Sequence, residues 1–144
     1  MQALQTGGRA WRQALERRLK SCGLTSAGWS ALAALAAAER AAGEGGRPPS
    51  QTELAQQLGV DGATLVATVD RLAASGLIER TQSRQDRRVK LLVLTSKGRA
   101  LEEKARAQAD LLRRMALARL DADQLQAAAA VLEQLQEALE EEGS

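Results

Sequence analysis

The residues best suited to chemistry in this chain are cationic. Arg84, Arg87, Arg88 and Lys90 fall within seven consecutive positions, with Asp86 among them. Arginine carries a planar fork of donors that matches phosphate and fits a narrow minor groove of DNA. Arg84 and Lys90 would add phosphate contacts, which position a protein on a duplex without reading sequence. A second group precedes the first. Ala63, Thr64, Ala67, Thr68 and Arg71 share one face of a helical repeat. Such short side chains let a helix lie close to base edges in a major groove. Ala and the Thr methyls can meet thymine methyls, and Thr hydroxyls can reach bases or phosphates. Arg71 reads either as a phosphate clamp or as an intramolecular ion-pair partner. Helix starts at Ser50-Gln51-Thr52 and near Asp61 would offer free amides to phosphates.

Other chemistries are excluded by what is missing. The 144 residues contain no His, Tyr or Phe and one cysteine, Cys22. No zinc finger, His-ligated metal centre, Ser-His-Asp triad or CxxC redox pair can be built from them. No phosphate-binding loop appears and the carboxylates are scattered, so neither an enzyme nor a cofactor is expected. The apolar runs are short and broken by charge, far below the ~20 residues of a membrane span. The basic stretch Met1–Arg18 lacks the apolar core of a signal peptide, and a cytoplasmic location is expected.

The net charge of +2 conceals an uneven distribution. Arg71 to Arg106 holds 10 basic and 4 acidic residues, and the first 20 positions hold five bases and one acid. From Asp121 onward there are seven acids and no base. This pattern predicts a basic working surface apart from an acidic helix end.

The elements that must position these groups are mostly helical, since 29 Ala and 23 Leu dominate the apolar set. Leu4, Ala10/Trp11, Ala14/Leu15 and Leu19 predict a first helix over 3–20. Thr25 caps a second that runs to about Arg40, and the Gly/Pro-rich stretch 43–49 is a loop. Ser50-Gln51-Thr52-Glu53 matches a capping box and opens a short helix ended by Gly59. Asp61 caps the next, with Leu65, Val69 and Leu72 inward. Leu77 to Gln82 and Val89 to Leu94 read as strands around the basic tip Ser83–Arg88, a hairpin wing. Thr95-Ser96-Lys97-Gly98 opens a long helix to about Arg119. Asp121 caps a last one, with Leu125, Ala128, Leu132, Leu135 and Leu139 in a heptad-like seam and a frayed tail over 140–144. The expected fold is mostly α with a small β-hairpin wing.

In order and spacing, several stretches resemble the MarR family of bacterial transcription regulators. They are Leu24-Thr25-Ser26-Ala27-Gly28-Trp29, Thr52-Glu53-Leu54-Ala55 with Leu58-Gly59-Val60, and Val69-Asp70-Arg71-Leu72. Gly76-Leu77-Ile78-Glu79-Arg80, Asp86-Arg87-Arg88 and Leu94-Thr95-Ser96-Lys97-Gly98 complete the match, which spans essentially the whole chain. The resemblance implies a single domain over 1–144. Residues 24–98 would form a winged helix-turn-helix lobe, and 1–22 with 99–144 a helical dimerisation region. It implies a homodimer on a pseudo-palindromic double-stranded operator, a repressor relieved by a small ligand. It also implies that one of Arg87 and Arg88 enters the minor groove while Asp86 holds the other.

A small aromatic or anionic ligand would sit against Trp11 and Trp29 with Arg17 or Arg18 as its polar partner; core or interface anchoring is the other reading of the two Trp residues. Some relatives use a reactive N-terminal cysteine. Cys22 lies among Arg17, Arg18 and Lys20, surroundings that favour a thiolate, but the chain holds no second cysteine to resolve it. Many members carry Arg where this chain has Ala67. That departure favours an alternative function, a winged-helix protein–protein interaction module with weak or no specific DNA reading.

Overall fold

The computed structural model describes residues 2–43 and 45–142. Met1, Glu44, Gly143 and Ser144 lie outside them, and with them the ends of the expected domain and tail and one position of the Gly/Pro loop. Six helices and one hairpin follow in chain order among the described residues: α1 (Gln2–Lys20), α2 (Ser26–Ala42), α3 (Gln51–Leu58), α4 (Gly62–Ala74), β1 (Ile78–Gln82), β2 (Lys90–Leu94), α5 (Ser96–Leu117) and α6 (Ala122–Glu142). None of these helices is long and apolar enough to cross a membrane.

Side chains fix where the helices begin. Thr25 Oγ1 accepts from Gly28 N at 3.0 Å to start α2. Ser50 and Glu53 close the capping box of α3, and Asp61 Oδ1 accepts from Thr64 N at 2.8 Å at the start of α4. Each cap gives a partner to helix amides that would otherwise have none. Gly59 ends α3 in the left-handed region, at φ 64° and ψ 31°, which permits the tight turn into α4. Thr95 opens α5: its Oγ1 accepts from Gly98 N at 2.9 Å and donates to the Gly76 carbonyl at 2.7 Å.

The chain divides into two compact units, Met1–Ala109 and Asp110–Ser144. In the first, Leu19 of α1, Leu32 and Leu35 of α2, Leu54 of α3, Leu65 and Val69 of α4, Ile78 of β1 and Leu92 of β2 form the fully buried core. The hairpin is antiparallel with Ile78 opposite Leu94, Arg80 opposite Leu92 and Gln82 opposite Lys90. On its other side β2 meets the segment leading into α3. Ser50 bridges Leu91, and Leu92 N donates to the Pro49 carbonyl at 2.9 Å. In the second unit, Leu125 and Leu135 are half-buried, Leu132 and Leu139 are exposed, and no described residue of α6 is buried.

Several expectations are corrected. The strands begin at Ile78 and Lys90, one residue later than alternation suggests, because Leu77 and Val89 spend their amides on the Leu72 and Asp86 carbonyls. The expected frayed tail is helical as far as Glu142. Of the apolar positions on α1, only Leu15 and Leu19 are buried.

At Gly98 a Cβ would fall inside the contact distance of the Leu77 carbonyl oxygen, which accepts from Thr95 N at 3.1 Å. Gly98→Ala is expected to lower the urea midpoint by an amount equivalent to about 1–3 kcal/mol, the usual cost of overpacking. A midpoint equal to that of the wild type would contradict this close approach.

Candidate nucleic-acid interface

Helix α4 presents Ala63, Thr64, Val66, Ala67, Asp70 and Arg71 to solvent and buries Leu65, Thr68, Val69 and Leu72. The burial of Thr68 corrects its expected place on the outward face. The helical turn places Thr68 beside Leu65 and Leu72, and its hydroxyl donates to the Thr64 carbonyl at 3.2 Å. Thr64 stays exposed, but its hydroxyl donates to Asp61 Oδ2 at 2.6 Å. That bond and the Thr64 amide hold the Asp61 carboxyl below the usual aspartate range. Asp70, the acid on the exposed face, pairs with Arg80 of β1 and so ties the helix to the wing.

The wing tip is ordered by side chains and carbonyls that accept from its own backbone amides. Ser83 Oγ is buried in the turn and accepts from Gln85 N at 3.2 Å, while Ser83 N donates to the Val89 carbonyl at 3.0 Å. Asp86 Oδ1 accepts from Arg88 N at 2.9 Å and lies 3.7 Å from Arg88 Nε. Asp86 therefore engages Arg88. Arg84 and Arg87 are exposed, and neither has an ion-pair partner among the described residues.

The helix start and the base of the wing converge. Ser50, Gln51 and Thr52 line a cavity of about 380 Å³ together with Arg88, Val89 and Lys90. Five of the expected contact residues, far apart in the chain, thus face one space. Ser50 is itself buried and committed to the cap, its Oγ accepting from Glu53 N at 3.1 Å. Gln51 and Thr52 also line a neighbouring groove of about 390 Å³ between α3 and α4, shared with Ala55, Val60 and Val66.

Arg71 has no ion-pair partner among the described residues, so the ion-pair reading of it is not realised. It lines a separate cavity of about 400 Å³ with Leu24, Thr25, Thr68 and Ser75. Arg18 donates to Gln108 Oε1 at 3.4 Å. Trp11 is 36% exposed and Trp29 is half-buried; the indole N–H of Trp29 is buried without a hydrogen-bond acceptor among the described residues. Cys22 is a free, half-buried thiol with its Sγ 3.9 Å from Ser21 Oγ. Sequence reasoning missed Val66, the Asp70–Arg80 pair and the Ser50–Leu91 bridge. An acid on an otherwise uncharged or basic helix face was the available sign of the second.

A helix-turn-helix followed directly by a two-stranded wing defines a winged-helix protein. A family model described as the MarR family matches residues 23–89. The crystal structure of transcriptional regulator PA3341 is 36% identical with a TM-score of 0.80, and the match covers 97% of each chain. The S. aureus MepR–DNA complex superposes with a TM-score of 0.83 over 94% of this chain and 95% of that one; at 20% identity it shows the shared fold alone. CouR from Rhodococcus jostii RHA1, bound to p-coumaroyl-CoA, is 26% identical with a TM-score of 0.72, covering 95% of this chain and 86% of that one. The chain belongs to the MarR family of transcriptional regulators.

Ser50 N donates to Glu53 Oε2 at 2.7 Å, and this bond with the Arg47 guanidinium holds the Glu53 carboxyl below the ordinary glutamate range. A depressed folded-state value adds stability above the unfolded value and loses it as pH falls through the folded one. The urea midpoint of the wild type should exceed that of Glu53→Gln at about pH 7, and the difference should close by about pH 2.5. A difference unchanged at the lower pH would remove the carboxylate from the cap.

Proposed function

We propose that this protein is a homodimeric DNA-binding repressor that a small ligand releases from a pseudo-palindromic operator. The observation that carries the reading is the convergence of the α3 start with Arg88 and Lys90 on one cavity, beside the exposed face of α4. Two cations and the free amides of a helix N-terminus suit a backbone phosphate. The MepR complex supports the assignment, being a protein of this fold with DNA bound.

Within this reading α4 enters the major groove with Ala63, Thr64 and Ala67 toward the bases. Arg87 is the residue that enters the minor groove, because Asp86 engages Arg88. Arg84 adds a phosphate contact at the wing tip, and Arg71 near the end of α4, without an ion-pair partner among the described residues, adds another. Residues 24–98 form the DNA-binding lobe, with 1–22 and 99–144 as the dimerisation region. The uncovered seam of α6 supports this, since Leu132 and Leu139 are exposed and a second copy would bury them. Two lobes spaced by such a dimer would meet successive major grooves, and a ligand that changes the spacing would release them. CouR with its bound p-coumaroyl-CoA supports ligand control. In this chain the buried indole N–H of Trp29, which has no acceptor among the described residues, is a donor that a ligand acceptor would satisfy.

Ala67, exposed on α4 where many members carry Arg, favours a second reading, a module that binds another protein. Enrichment of duplexes from a random-sequence DNA pool separates the two, because only a DNA reader selects a sequence. With the selected duplex, replacing Arg87 and Arg88 together by Ala is expected to weaken binding. The slope of log affinity against log salt should become shallower by about 0.9 for each phosphate no longer neutralised. Fluorescence anisotropy at increasing salt measures both, and an unchanged slope would take the wing out of the interface.

A further inference from the structure

The outward face of α4 has few ways to read a base. From Ala63 to Asp70 its polar side chains are engaged within the protein: the Thr64 hydroxyl donates to Asp61, the Thr68 hydroxyl to the Thr64 carbonyl, and Asp70 pairs with Arg80. No Arg, Lys, Asn or Gln occupies this stretch. The bidentate contacts that recognise guanine or adenine in a major groove are therefore not available from it.

The face does offer methyl groups. Val66 is 39% exposed and Val60 37% exposed, and Ala63 and Ala67 are exposed on the same helix as Val66. Val is a poor choice for a solvated helix position, since its branched side chain loses rotamer freedom against the preceding turn. Val60 and Val66 line the groove between α3 and α4 with Ala55, and the groove shares Gln51 and Thr52 with the cavity at the base of the wing. A strand whose phosphate is held in that cavity would carry its next base edges along the groove, past Val66. The apolar group on a major-groove base edge is the C5-methyl of thymine.

We propose that this protein reads thymine methyl groups in its operator, with Val66 as the specificity-determining contact. The inference rests on the DNA-binding reading and names the chemistry of that site. Burying one methyl against another is worth about four-fold in affinity, or about fifteen-fold when both half-sites of a dimer contribute.

The test uses the full-length protein and a duplex enriched from a random-sequence pool, with each thymine replaced in turn by deoxyuridine. The wild type is expected to lose about four-fold in affinity at one thymine or more in each half-site. In Val66→Ala the same replacements should cost less than about 1.5-fold, because the partner of the methyl is already gone. Val66 is exposed, so the thermal melt of the variant should match the wild type and exclude misfolding as the cause. Uniform tolerance of deoxyuridine, or an equal penalty in both proteins, overturns the inference while leaving DNA binding intact. Failure to enrich any sequence overturns the DNA-binding reading itself.

Discussion

Ser50 joins the start of α3 to strand β2. Its hydroxyl and amide close the capping box of α3 with Glu53, and its backbone bridges Leu91, the second residue of β2. The adjacent Pro49 carbonyl accepts from Leu92 N. One short segment therefore fixes both where α3 begins and how far β2 stands from it. The cavity lined by Gln51, Thr52, Arg88 and Lys90 exists because these two edges share a support. A cap of this kind is worth about 1 kcal/mol by itself. Its larger effect here is geometric, since the placement of the cations depends on it.

The Asp70–Arg80 pair plays the matching part on the other side of the hairpin, linking α4 to β1. It also answers an electrostatic problem. A carboxylate on a helix face that meets phosphate-rich DNA would repel it, and a paired one does so much less. The wing repeats the arrangement at smaller scale, where Asp86 orders the turn through the amide of Arg88 and leaves Arg87 to solvent. At the tip the acid is spent on shape, and the positive charge of Arg87 remains exposed.

Much of this was legible in the sequence, because caps and apolar stripes are local signals. Thr25, Ser50 with Glu53, and Asp61 each mark a helix start that the structure reproduces, and the 3.6-residue spacing of Leu65, Val69 and Leu72 marks the buried side of α4. What stayed hidden depends on contacts between distant segments. The bridge from Ser50 to Leu91 joins a loop to a strand 41 positions away and leaves no periodic trace. Thr68 lies at the edge of the buried stripe, where a polar side chain reads as outward until its hydroxyl is seen to bond within the helix. Val66 lies outside both the inward stripe and the outward set that the spacing marks, and an exposed apolar side chain leaves no signal of its own. That Asp86 engages Arg88 and leaves Arg87 exposed depends on turn geometry that only the folded tip supplies.

Under the proposed function, α4 and the wing engage one duplex together, twice, through a dimer. Hydroxyl-radical footprinting of the wild type and of Arg87→Ala on an enriched duplex tests it most directly. Two protected half-sites related by a dyad are expected, with centres about 10 base pairs apart or a multiple of that spacing. Each should include a protected minor-groove segment on its flank that Arg87→Ala exposes. A single asymmetric footprint, or flanking protection that survives Arg87→Ala unchanged, would contradict it.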